Sequence, residues 1–106
     1  MKESNIQKLV MLALSESGCL IFRNNCGVLK NDAGIPIRFG VGSPGGSDLV
    51  GIAPNGKFLA VEMKTRTGRI RPEQQRFIDA VNRAGGIAGV CRSVEDALAL
   101  IGKTKP

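Results

Sequence analysis

Asp48, Glu62 and Lys64 are the residues of this chain whose types and spacing could do chemistry together. The apolar-rich runs 48–52 and 58–64 flank Ala53-Pro54-Asn55-Gly56-Lys57, a reverse-turn sequence, and so predict an antiparallel hairpin. With the turn centred on Asn55, Asp48 falls opposite Glu62 and points to the same side of the sheet, and Lys64, two positions on, shares that side. Two carboxylates opposite each other repel, and beside a buried sheet they are desolvated as well unless a cation sits between them. Mg²⁺ takes hard oxygen ligands and keeps part of its water shell, so such a pair can present water to a phosphodiester. Lys64 would position that water or stabilise the charge that develops on phosphorus. The competing reading is an ordinary Glu-x-Lys ion pair on an edge strand. Against it, Leu59, Val61 and Met63 are apolar, so the charges interrupt a buried run, and they gather at one end of the hairpin after a glycine-rich stretch.

The elements needed to hold these residues can be read from the pattern around them. Ile6, Leu9, Val10, Ala13 and Leu14 have the spacing of an amphipathic helix over about residues 4–17, with Gly18 as its cap. Residues 20–23, 28–29 and 35–39 are short β-prone runs, expected as strands of a meander. The stretch 40–46 (Gly-Val-Gly-Ser-Pro-Gly-Gly) must be a loop where backbone passes close to something. Both faces of the hairpin are apolar, as in a central strand pair covered on two sides. Pro72 suits the first turn of a helix with Phe77, Ile78 and Val81 on its apolar stripe, residues 87–91 read as a buried strand, and Ser93 caps a last helix over 94–101 with Asp96 three residues on. The order α, a run of β, α, β, α predicts an α/β (α+β) domain over 1–106, a mixed central sheet flanked by helices, with 102–106 as a tail.

Composition narrows the function. The chain has 106 residues and 42% hydrophobic content, enough for one core. No run is long and apolar enough to span a bilayer and the start lacks a secretory pattern, so a cytoplasmic protein with no membrane partner is expected. Cys19, Cys26 and Cys91 contain no Cys-x-x-Cys pair and there is no His, so a zinc cluster is out and reduced core thiols are expected. The absence of His and Tyr excludes His-dependent nucleases, Ser-His-Asp hydrolysis and tyrosine nucleophiles. The net charge is +6, of which residues 57–76 supply +4 through Lys57, Lys64, Arg66, Arg69, Arg71 and Arg76 against Glu62 and Glu73. Such a segment suits a polyanion, because each neutralised phosphate releases condensed counterions.

Taken together, Asp48, Glu62-Met63-Lys64 and Gln74 early in the next helix resemble the PD-(D/E)XK nuclease pattern, specifically its VRR-NUC branch of virus-type replication and repair nucleases. The resemblance runs from Glu3 to about Gly86 and is carried best by 45–51, 61–64 and 71–75. It implies a restriction-endonuclease-like fold, Mg²⁺ or Mn²⁺ held by Asp48, Glu62 and the Met63 carbonyl, and Lys64 acting on the nucleophilic water. It also matches Glu3 to an acid on the first helix, serving a second ion or a bridging water, and Gln74 to a glutamine on the later one. Ser4 as the N-cap with Gln7 completing a capping box would instead leave Glu3 a terminal charge, and Gln75 competes with Gln74. Ser47 stands where the family often has proline.

The function expected is metal-dependent endonucleolytic cleavage of DNA, with branched substrates such as four-way junctions implied by the resemblance, as is a phage-type homodimer acting in a bacterial host. Arg66, Arg69, Arg71 and Arg76 are the expected DNA contacts. Met11 and Leu12, off the first helix's stripe, are the expected dimer patch. The rival readings are an archaeal-type Holliday-junction resolvase, a non-catalytic nucleic-acid-binding module, and an interaction subunit that has lost its chemistry. Only four aromatic residues, all Phe, argue against a binder that stacks bases.

Overall fold

The computed structural model describes residues 2–102, with the side chain of Glu3 outside the described set. In chain order the elements are α1 (Glu3–Glu16), β1 (Leu20–Arg23), β2 (Gly27–Lys30), β3 (Pro36–Phe39), β4 (Leu49–Ile52), β5 (Phe58–Met63), α2 (Pro72–Arg83), β6 (Ile87–Cys91) and α3 (Val94–Leu100). One sheet has the order β1-β4-β5-β6, and β2 and β3 form a separate two-stranded sheet. In the larger sheet, β1 with β4 and β4 with β5 are antiparallel, whereas β5 and β6 are parallel. Parallel neighbours need a crossover, and α2 supplies it. The expected mixed sheet with flanking helices is present.

The central hairpin has the expected register. Leu49 pairs with Val61 and Val50 with Ala60, which puts Asp48, one residue before the ladder, opposite Glu62. On β5, Leu59, Val61 and Met63 are fully buried in a cluster with Val10 and Leu14 of α1 and Ala97 of α3. Ala60 packs in a second cluster with Val50, Ala88 and Ile78 of α2. Burying each of the larger side chains stabilises the fold by roughly 1.5–3 kcal/mol. Because alternate residues of a strand face opposite ways, the layer that hides Leu59, Val61 and Met63 also turns Glu62 toward α2.

Several expectations are corrected. Residues 20–39 do not form a meander: β1 joins the main sheet beside β4, because Cys19 and Ile21 pack with the α1 core, while β2 and β3 bury none of their side chains. That hairpin turns on Asn31, whose Oδ1 accepts from the N–H groups of Ala33 at 3.0 Å and Ile35 at 2.9 Å. On α1 the inner stripe runs through Ile6, Val10 and Leu14, so Leu9 is exposed and Met11 packs against the core rather than standing free. Ser4 lies inside α1, whose N-cap is Lys2, so it does not cap the helix. Cys26 is exposed, not a core thiol, whereas Cys19 and Cys91 are buried. Ser93 caps α3 as expected, accepting from the Asp96 N–H at 3.1 Å, and the expected tail beyond Gly102 lies outside the described residues. No helix among the described residues is long and apolar enough to cross a membrane.

Candidate active site

Glu62 sits near the end of β5 and is only 2% exposed. Its Oε2 is held twice, by the Lys64 ammonium at 3.3 Å and by Nε2 of Gln74 at 3.1 Å. Gln74 can do this because an amide has two ends. Its Oε1 accepts from the Arg71 N–H at 2.9 Å, which ties down the first turn of α2, and its Nε2 is then turned to the carboxylate. A glutamate at 74 could take the first bond but would set another carboxylate, besides Asp48, against Glu62. The other oxygen of Glu62, Oε1, is buried and has no hydrogen-bond partner. An unpaired buried polar atom costs about 1–3 kcal/mol, and more when it is charged.

Asp48 stands beside Glu62 on the same face, half-buried, with Oδ2 accepting from the Met63 N–H at 2.9 Å. It is delivered there by the glycine-rich stretch, which packs as tightly as its composition predicts. Gly45 has a φ of +92°, and a Cβ on it would collide with the Glu73 carbonyl; a Cβ on Gly46 would collide with the Val41 carbonyl. Only glycine at both positions lets the loop pass between the start of α2 and its own earlier turn, so that Asp48 and Gln74 converge. The convergence lines a polar cavity of about 330 Å³ bounded by Asn24, Asn25, Cys26, Asp48, Arg71 and Gln74.

The VRR-NUC domain model matches residues 4–95, which is most of the chain. The chain belongs to the VRR-NUC family. A solved structure described as a VRR_NUC domain matches with a TM-score of 0.64 at 24% identity, covering 94% of each chain, and so supports the fold. No curated protein gives a significant match. As a VRR-NUC domain the chain is a nuclease of the PD-(D/E)XK type, with DNA as its partner, and nucleases of that type generally use divalent metals.

Of the residues singled out in the sequence, this VRR-NUC domain brings Asp48, Glu62, Met63, Lys64 and Gln74 together. Gln74 is buried and Gln75 is exposed, bonded to Asp79 at 2.8 Å, so position 74 is the one that meets Glu62. Glu3 opens α1, which packs on the opposite face of the sheet from α2, and its side chain lies outside the described residues. Arg66, Arg69, Arg71 and Arg76 are exposed on the linker 64–71 and the start of α2. Two contributors carry no sequence signal. Arg92 fastens that linker, donating from Nη1 to the carbonyls of Thr65 at 2.6 Å and Gly68 at 2.7 Å. Asn24 fastens the glycine-rich loop, donating from Nδ2 to the carbonyls of Val41 at 2.8 Å and Ser47 at 2.9 Å. Cys26 shares the cavity, but desolvation, helped by the charges of Asp48 and Glu62 and opposed by a hydrogen bond from Asn24, holds its thiol above the ordinary value. It is therefore protonated near neutrality and a poor ligand.

The donor set fits a hard divalent cation. Among the described residues no group of three or more acidic, Cys or His side chains gathers, so the side-chain set is two carboxylates, one of them with an unpaired buried oxygen, and a backbone carbonyl such as that of Met63 would have to complete it. Burial, and then the charge of Asp48, raise Glu62 from 4.5 to about 7, against the lowering effect of Lys64. The folded protein consequently holds a proton on Glu62 that the unfolded chain has released once the pH exceeds about 4.5. Stability of the metal-free protein should fall as pH rises from there to about 7, and level off above it. Urea denaturation in a chelator at pH 5 and pH 8 should register a loss on the order of 1–3 kcal/mol that Glu62→Gln removes. An identical pH dependence in Glu62→Gln would assign it to other groups.

Proposed function

We propose that this VRR-NUC domain is an Mg²⁺- or Mn²⁺-dependent endodeoxyribonuclease that selects branched DNA such as four-way junctions. The observation that carries the reading is the unpaired buried oxygen of Glu62 beside Asp48, with the Lys64 ammonium on the same carboxylate. Asp48, Glu62 and the Met63 carbonyl are the ligands in this reading; the side chain of Glu3, the acid the resemblance assigns to a second ion or a bridging water, lies outside the described residues. When bound, the metal supplies Lewis acidity to the scissile phosphodiester and favours ionised water near it.

The chain's own residues do the rest. Gln74 and Lys64 donate to Glu62 Oε2, leaving Oε1 as the oxygen open to a metal ion. Lys64, 15% exposed, keeps its ammonium at the edge of the site, where it can orient the attacking water and offset charge developing on the phosphoryl oxygens. Arg66, Arg69, Arg71 and Arg76 are exposed cations, Arg71 of them bordering the cavity, and suit the backbone of the bound strand.

A homodimer is part of the same proposal, since two sites related by a two-fold axis match a junction that is itself nearly two-fold symmetric. With Met11 packed inward, the apolar surface that supports it is the β2–β3 hairpin, where Val28, Leu29, Ile35, Ile37 and Phe39 are all exposed, Leu29 to 67%.

Two experiments test these statements. Asp48→Ala, Glu62→Ala and Lys64→Ala should each lower cleavage of linear, flap and four-way DNA at least about a hundredfold while retaining a cooperative thermal transition. Cleavage by the unaltered protein should require Mg²⁺ or Mn²⁺. Undiminished cutting in EDTA, or near-normal activity of Glu62→Ala, would remove the metal-site reading, and DNA binding without cleavage under every metal condition would favour a non-catalytic module. Light scattering should give the mass of two chains, and of one chain for Leu29→Glu combined with Ile37→Glu. A monomeric unaltered protein would overturn the dimer.

A further inference from the structure

We propose that Asn24 is a positioning residue for the divalent-cation site, acting through the backbone of Ser47 and Asp48. The inference rests on the reading of Asp48 and Glu62 as cation ligands. Asn24 directly follows β1, one step beyond the Arg23–Leu49 pair, and its N–H donates to the Asp48 carbonyl at 2.8 Å. Its side chain then reaches the glycine-rich loop on both sides of the turn. Nδ2 donates to the carbonyls of Ser47 at 2.9 Å and Val41 at 2.8 Å, and Oδ1 accepts from the Val41 N–H at 3.0 Å. That engages both ends of the amide.

The consequence falls on Asp48. The carbonyls of two consecutive residues, Ser47 and Asp48, are fixed by one asparagine, so the peptide that carries the Asp48 side chain is held on β1. The carboxylate itself is tied to β5 by the Met63 N–H. Asn24 thus sets where Asp48 stands relative to Glu62 without making a hydrogen bond to Glu62 or Lys64 itself. Groups that orient a metal ligand from behind typically change affinity 10–100-fold when altered.

A matched control lies elsewhere in the fold. Asn82 makes the same kind of backbone clasp, donating to the Ala88 carbonyl at 3.0 Å and accepting from the Ala88 N–H at 2.9 Å, but it joins α2 to β6 away from the carboxylates. A clasp of purely structural value should behave at position 24 as it does at position 82.

The test is Mn²⁺ affinity, read by electron paramagnetic resonance of free Mn²⁺ with no DNA present, alongside thermal melting. Asn24→Ala and Asn24→Asp should each bind Mn²⁺ at least about tenfold more weakly than the unaltered protein, while Asn82→Ala loses thermal stability and keeps the original affinity. Asn24→Asp decides the matter because it is isosteric and adds a negative charge near a cation site. Coulomb attraction alone would tighten Mn²⁺ binding, so weaker binding reports lost positioning. Unchanged or tighter binding by Asn24→Asp overturns the proposal, as would failure of both Asn24 variants to fold. An unaltered protein that binds no Mn²⁺ would bring down the metal site first, an outcome distinct from equal binding by the two proteins.

Discussion

A carboxylate buried near the end of an apolar strand is a standing electrostatic cost, and in this domain the arrangement around Glu62 answers to it. β5 must be apolar on both faces to be covered on both, so at position 62 the chain gives up burial for charge. One oxygen is compensated by Lys64 and Gln74; the other is not compensated by any protein group among the described residues. Asp48 adds repulsion rather than relieving it, and Glu62 titrates near neutrality as a result. Two carboxylates so placed are costly to hold together unless a positive group comes between them.

Much of the remaining fold can be understood as holding that pair in place. The β4–β5 register sets Asp48 across from Glu62, and the crossover through α2 returns Gln74 to the same spot from the other side. The glycine-rich loop fills the gap between them, with its backbone pressed where any side chain would collide. Arg92 pins the linker after Lys64 through the Thr65 and Gly68 carbonyls, and Arg71 at the linker's end borders the cavity beside Asp48. A cation is thereby held at the mouth of the carboxylate site, where a polyanion would meet it.

The central part of this was legible in the sequence because strong local signals agreed. Ala-Pro-Asn-Gly-Lys fixes a turn, a turn fixes the register, and register with period-two alternation puts Asp48, Glu62 and Lys64 on one face. Likewise Pro72 and Ser93 mark helix starts by local chemistry that tertiary packing does not override. The failures have a common cause in long-range choice. Residues 20–23 and 28–39 have the same β-forming character, and which strand pairs with β4 is decided by Ile21 packing under α1, a contact no local pattern encodes. Leu9 and Met11 exchange places because the inner face of α1 is set by both the sheet and α3. Asn24 and Arg92 went unseen since single polar residues that bond to distant backbone have no periodicity, and Cys26 escaped because burial of a thiol was inferred from residue type alone.

A divalent cation between Asp48 and Glu62 would occupy the position that leaves Glu62 Oε1 without a protein partner. Anomalous scattering from crystals grown with Mn²⁺ measures this directly. A peak should lie about 2.0–2.3 Å from Glu62 Oε1 and within the same range of an Asp48 carboxylate oxygen and the Met63 carbonyl, distances expected of small hard divalent ions on oxygen. It should disappear from Glu62→Gln crystals. No peak between Asp48 and Glu62 at saturating Mn²⁺, or one that persists unchanged in Glu62→Gln, would contradict the account.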